Sequence, residues 1–317
     1  MFAEDKGLLP AFTVKTTINT WKDTGKNGTV LQVFQALFKE LNTGNSKKNI
    51  FAYNGGLFLP DEIIDNLVLP TGNTLETYLL FLEAYDYKTE VDVLIFGHIF
   101  EQSLNDLDEM KALAENPELA KNAMSAKFTA SGSGVSKRKK DGVFYTPQYI
   151  TRYIINNTIG VYCENKRREL GIFEGKTTTI EALNEYRNWL LSVTVLDPAC
   201  GSGAFLSETL SFFIEEHEAL DQRVAGVTGQ PIFYKDYSLE ILENNIFGVD
   251  LNEEAVEISK LSLWLRTAKK GRPLSNLNNN IKVGNSLIDD KKIDKKAFNW
   301  KREFALSLSG RAGVGAF

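Results

Sequence analysis

From Val193 to Gly203 the chain reads VTVLDPACGSG, and AFLSETLSFFIEEHEAL follows from Ala204 to Leu220. Val193 to Leu196 is a short β-branched run of the kind that fills a strand buried on both faces. Gly201 and Gly203 let the main chain turn sharply and approach a ligand closely, while a helix starting at Ala204 offers unpaired N–H groups to a polar or anionic group. The stretch therefore predicts strand, glycine turn and helix. Asp197, at the strand's end, is placed to meet a cation.

Working outward, the same grammar recurs. NNIFGVDLN predicts a second strand ending at Asp250, EEAVEISKLSLWLRTAKK its helix with Ala255, Ile258, Leu261 and Leu265 on one face, and NNIKVGNSL a third strand. Strands alternating with helices predict a parallel sheet covered by helices. Upstream, TPQYITRYIINNTIG reads as a helix opened by Pro147, where a missing N–H costs nothing. Residues 129 to 142, TASGSGVSKRKKDG, turn small and flexible and then basic, which marks a domain boundary. The first ~130 residues read mostly as helices. In TVLQVFQALFKEL, Val30, Val33, Phe34, Leu37, Phe38 and Leu41 form one apolar stripe that ends near Gly44 and Asn45. EVDVLIFGHIFEQSL is apolar on all sides and is expected to lie centrally in its bundle.

Composition bounds the function. The chain has 317 residues, 43% of them hydrophobic, with 36 Lys+Arg against 41 Asp+Glu and a net charge of -5. That is the profile of a globular protein of about two domains, in which a polyanion is held by local basic patches. Two cysteines, Cys163 and Cys200, and two histidines, His98 and His217, are too few for a closed zinc site or a disulfide framework, and no metal site is expected. No apolar run approaches the ~20 residues of a membrane span, and acids stand where a signal peptide carries its apolar core; a cytoplasmic protein without anchor or export is expected. His98 reads as a core residue and His217 as a helix-surface one, and Cys200 as a small residue that fits the turn.

The glycine turn is not the dinucleotide pattern GxGxxG with an acid ~20 residues on. Leu206 occupies the third glycine position, and Asp250 lies much farther along. Asp250 still closes a second strand, where an acid accepts two ribose hydroxyls, and Asn285 follows a third, where an amide can pair with an adenine edge. Such a site suits a nucleoside whose other end is a zwitterion, which describes S-adenosylmethionine.

FYTP (Phe144 to Pro147), DPACGSG, GVDLN (Gly248 to Asn252) and GNSL (Gly284 to Leu287) resemble motifs X, I, II and III of the γ-class N6-adenine DNA methyltransferases. NNIFGVDLNEEAVEISKLSLWLR is similar to the methyltransferase part of Eco57I-like type IIG restriction-modification enzymes. The four motifs stand in order over residues 142 to 290, and the helical region before them matches only loosely, through YNGGLF and GHIFEQSL. The resemblance implies an α/β fold, a partial Rossmann-like methyltransferase with strands in the order 3-2-1, preceded by a mainly helical domain. The domains are then 1–130, helical; 131–141, a flexible basic linker; and 142–317, the cofactor-binding half of the catalytic domain.

By this resemblance S-adenosylmethionine is the cofactor and duplex DNA the partner. Tyr145 and Thr146 would lie at the cofactor, with Thr146 on the methionine carboxylate; Asp197 and Ala199, Cys200, Gly201, Ser202 and Gly203 would face the methionine moiety. Asp250 would bridge the ribose hydroxyls, Leu251 pack on the adenine, and Asn285 with Ser286 meet the adenine edge. Lys137, Arg138, Lys139 and Lys140 would neutralise DNA phosphates.

The family grips the flipped adenine's amine with an Asn/Asp-Pro-Pro-Tyr/Phe tetrapeptide after strand four. These 317 residues contain none; NPEL at Asn116 lacks the second proline and the aromatic. KKAFNWKREF reads as the family's lead-in, whereas the stretch from Ala305, ALSLSGRAGVGAF, does not resemble strand four. The expectations are a chain truncated before that motif, inactive by itself, and an open edge on strand one that invites self-association or a partner segment. The alternative is a non-catalytic module that binds S-adenosylmethionine or DNA.

Overall fold

The computed structural model describes residues 1–26, 28–53, 74–87, 95, 97, 99, 146–173, 175, 178–304 and 314–316. They fall into two compact units, Met1–Val93 with Trp264–Asn276, and Leu94–Leu263 with Leu277–Phe317. The expected linker at 131–141 lies outside the described residues. The contact units part at 93/94, and the first includes Trp264–Asn276.

The first unit is helical: α1 Phe2–Asp5, α2 Thr13–Asp23, α3 Val30–Thr43 and α4 Thr74–Leu82. Thr29 opens α3 with a reciprocal cap, its hydroxyl accepting from Gln32 N–H at 3.2 Å while the Gln32 side chain accepts from Thr29 N–H at 2.9 Å. Gly44 ends α3 with φ 82°, as the pattern predicts. Phe34, Leu37 and Leu41 are buried with Leu8, Leu9, Val14, Ile18, Ile50 and Tyr53. Phe38 is instead 40% exposed, so the buried stripe is narrower than the apolar one.

The second unit carries the sheet. Its elements are α5 Gln148–Ile155, continuing through a π turn at Asn156–Gly160 into α6 Val161–Glu169; α7 Ile180–Ser192; β1 Thr194–Asp197; α8 Ala204–Thr228; α9 Ser238–Asn244; β2 Ile246–Asp250; α10 Glu253–Thr267, which this unit holds as far as Leu263; β3 Ile281–Val283; α11 Trp300–Glu303; and β4 Val314–Ala316. The strands are parallel in the order β3-β2-β1-β4. The three strands read from the sequence thus stand in the 3-2-1 order expected for this fold.

Two asparagines set the entry points of the strands. Asn245 is fully buried and donates from Nδ2 to the carbonyls of Leu190 (3.0 Å) and Val193 (2.5 Å), while Asn280 donates to those of Glu243 and Ile246. Each satisfies carbonyls left over where a helix passes into a strand. The aromatic face beyond β1 and β2 is closed by Phe247, Phe298 and Phe304.

Four expectations are corrected. The edge of β1 is not open: β4 pairs with it, Thr194 opposite Val314 and Leu196 opposite Ala316, so the stretch from Ala305 does furnish a strand in the fourth position. Three residues with a central glycine give too little pattern to be read in advance. His217 is buried, because α8 is packed along most of its length and the imidazole stacks on Tyr237 at 4.3 Å. On α10 Ala255 is buried as read, but the buried face continues through Val256, Ser259 and Leu263, whereas Ile258, Leu261 and Leu265 are half-buried. In the segment expected at the centre of its bundle, Ile95 and Ile99 are exposed and only Gly97, among its described residues, is buried.

Candidate functional site

The C-terminal tips of β1, β2 and β3 are stitched to one another. Asp250 stands at the centre: Oδ2 accepts from Gly201 N–H at 2.8 Å, Oδ1 from Asn252 N–H at 2.9 Å, and its carbonyl from Gly284 N–H at 2.8 Å. One residue therefore binds the glycine turn after β1 to the tip of β3. Asn252, not Asp250, caps α10, accepting from Ala255 N–H at 2.8 Å, which leaves Asp250 turned toward the glycine turn.

The turn itself is built from both glycines in left-handed geometry, Gly201 at φ 52° and Gly203 at φ 84°. A Cβ on Gly203 collides with Ser259, whereas one on Gly201 meets nothing within 4 Å. The turn is thus walled at Gly203 and open at Gly201. Cys200 points inward against Gly248, where an added Cβ falls 3.0 Å from its Sγ, and its main chain is engaged with Val249 and Gly203. Burial, then the charges of Asp197 and Asp250, hold its thiol well above the ordinary range, so Cys200 is a packing residue and no nucleophile.

Asp197 is 5% exposed and accepts from Ala199 N–H at 3.0 Å. Burial lifts its carboxyl to about 6; the Ala199 N–H opposes the rise and the neighbouring Asp250 adds to it. Among the described residues neither Asp197 nor Asp250 has a Lys or Arg in ion-pair contact. Buried Asp197 and half-buried Asp250 thus stand beside an open glycine turn, an arrangement whose charge suits a cationic group.

The other expected residues fall as follows. Thr146 is half-buried just before α5, whose Gln148 and Arg152 reach Glu208 in the second turn of α8. Ala199 is exposed and Ser202 buried. Leu251 is 41% exposed, and its carbonyl accepts from Lys296 Nζ at 3.0 Å. Asn285 donates from Nδ2 to Asp294 at 2.7 Å and accepts at Oδ1 from Leu287 N–H at 3.1 Å; the Ser286 carbonyl accepts from Trp300. Tyr145, the basic run Lys137 to Lys140, His98 and the NPEL string lie outside the described residues. Sequence reading missed Asp294 and Lys296; no spacing rule marks them, because their contacts with Asn285 and Leu251 form only when the chain folds back on the tips of β2 and β3. A cavity of about 580 Å³ between α6, α7 and α8, lined by Arg167, Tyr186, Glu216 and Arg223 among others, shares no residue with the strand tips.

A helix-covered parallel sheet in the order β3-β2-β1-β4, with a glycine turn after β1, is a Rossmann-like α/β fold. Residues 244–311 match the family model described as Eco57I restriction-modification methylase. The chain is 28% identical over 342 residues to a putative type II restriction enzyme and methyltransferase of Methanocaldococcus jannaschii (90% of this chain, 26% of the relative). It is 27% identical over 280 residues to the type II restriction enzyme and methyltransferase RM.Eco57I of Escherichia coli (81% and 24%), and 25% identical over 165 residues to the adenine-specific methyltransferase BrxX of an Escherichia coli strain (47% and 12%). The solved structure of the type IIL restriction-modification enzyme MmeI in complex with DNA superposes with a TM-score of 0.56 at 18% identity, covering 93% of this chain and 37% of that one, a likeness of fold. The expected resemblance to Eco57I-like restriction-modification methylases is borne out. The chain spans about a quarter of the length of the first two relatives.

Proposed function

We propose that these residues form the cofactor-binding half of an adenine-specific DNA methyltransferase of a restriction-modification system, working on duplex DNA in the cytoplasm with S-adenosylmethionine as methyl donor. The observation that carries the reading is the hydrogen bonding of Asp250, which draws three strand tips around one open glycine turn. The name of the BrxX relative supports adenine as the target base.

In this reading Asp197 and the exposed side of the Gly201 turn hold the methionine end, with Thr146 on its carboxylate and Asp197 set against its positive charge. Asp250 keeps a free lone pair on each carboxylate oxygen for a ribose hydroxyl. Leu251 covers one face of the adenine, and Asn285, clamped by Asp294, keeps a second amide proton for its edge. The chemistry gained from the bound group is an electrophilic methyl on a sulfonium centre. Lys137 to Lys140 would add phosphate contacts, which makes DNA binding fall steeply with salt. Gripping the amine of a flipped base requires a tetrapeptide that these 317 residues do not contain.

Titration calorimetry with S-adenosylmethionine and, for contrast, NAD tests the reading. Binding of the first alone is expected, weakened at least tenfold by Asp250→Ala, which removes both the ribose contact and the brace on Gly201. Absence of heat with S-adenosylmethionine rejects it. A methylation assay on unmodified duplex DNA is expected to give no turnover from these residues by themselves.

A further inference from the structure

The helical residue Gly97 meets the glycine turn from a segment outside the four motifs. A Cβ built on it falls 2.6 Å from Ser202 Oγ and 3.0 Å from Ser202 Cβ. Carbon atoms in van der Waals contact sit ~3.5–4.0 Å apart, so any side chain at 97 has to displace Ser202. Gly97 is buried while Ile95 and Ile99, two residues to either side, are exposed, so the helix lays its bare backbone on the turn.

The turn needs such support. Two glycines in left-handed geometry supply flexibility and no stiffness of their own. Gly201 is tied by Asp250, and Gly203 is backed by Ser259. Ser202, between them, is 9% exposed, and its side chain meets Gly97.

We propose that Gly97 is a positioning residue for the cofactor turn: its missing side chain seats Ser202 and so holds the Gly201–Gly203 main chain in the shape that the methyl donor reads. The inference rests on the cofactor reading above. It ties Gly97, which lies outside the four motifs, to the binding step, and makes that glycine a requirement of the site and not of helix packing in general.

The test is a double-mutant cycle read by calorimetry with S-adenosylmethionine. Gly97→Ala is expected to raise Kd at least fivefold when residue 202 is Ser, and less than twofold when Ser202→Gly has removed both the clashing Oγ and Cβ. Gly226→Ala, in α8 with nothing within 4 Å of the added Cβ, serves as the control and should leave Kd unchanged. If Gly97→Ala does not fold, Ser202→Thr loads the same contact from the other side and is read in its place, with the same weakening expected. An unchanged Kd in the loaded variant, or an equal effect of Gly97→Ala in both backgrounds, overturns the inference alone. A parent protein that binds no S-adenosylmethionine overturns the cofactor reading with it.

Discussion

Replacing Asp197 by Asn should stabilise the ligand-free protein at pH 8 and do so much less at pH 4.5. The carboxyl is 5% exposed and its folded value is pushed from 3.8 to about 6, first by burial. Native Asp197 is therefore protonated up to about pH 6, whereas in the unfolded chain it ionises near 3.8. Between those values the native state holds more protons than the unfolded one, so stability present below 3.8 is lost as pH rises through about 6. At ~1.4 kcal/mol per pH unit the full loss is about 3 kcal/mol, of which about 2 kcal/mol falls between pH 4.5 and 8. Asn keeps the oxygen that accepts from Ala199 and carries no charge. Its own fit contributes equally at every pH, so the difference between the two conditions isolates the charge. Thermal or urea melts of parent and variant at pH 4.5, 6 and 8 measure it; at ~2–4 °C per kcal/mol the relative gain amounts to roughly 4–8 °C. A gain equal at all three pH values, or larger in acid, refutes the reasoning.

The same carboxyl makes affinity for a cationic ligand rise between pH 5 and 7, with proton release on binding near pH 6, which calorimetry in buffers of different ionisation enthalpy detects. His217 behaves oppositely: burial, then Arg187 and Lys235, lower it to about 3, so stability present above 6.5 is lost as pH falls toward 3. His217→Phe, which keeps a ring on Tyr237 and removes two buried nitrogens without hydrogen-bond partners among the described residues, should flatten that acid limb in pH-dependent melts. Gly248→Ala sets a Cβ 2.8 Å from Leu206 and should destabilise by ~1–3 kcal/mol in denaturant unfolding, since β2 and α8 have no slack there. Removing Val314–Ala316 bares the edge of β1, and sedimentation velocity should then show association that grows with concentration.

The glycine turn, the three strands and their order were legible because each depends on neighbours in the chain. Gly201 and Gly203 announce left-handed backbone wherever they stand, and a β-branched run of four or five residues between helical patterns has few alternatives to a buried strand. Asp197, Asp250 and Asn285 were likewise marked by their places at strand ends. What the chain order left open were relations between residues far apart in it. That Asn252 caps α10 and leaves Asp250 turned to the glycine turn, that Asp294 clamps Asn285, that His217 lies buried on Tyr237, and that Gly97 carries Ser202 all arise when elements pack. β4 belongs with these. Val314–Ala316 is too short and too small to signal a strand by itself, and only the unpaired N–H and C=O groups along β1 give those three residues a reason to extend. Local periodicity and turn chemistry thus determined which elements exist and which residues stand at the strand tips, while the need to bury surface and satisfy polar groups at close range decided how those tips are braced.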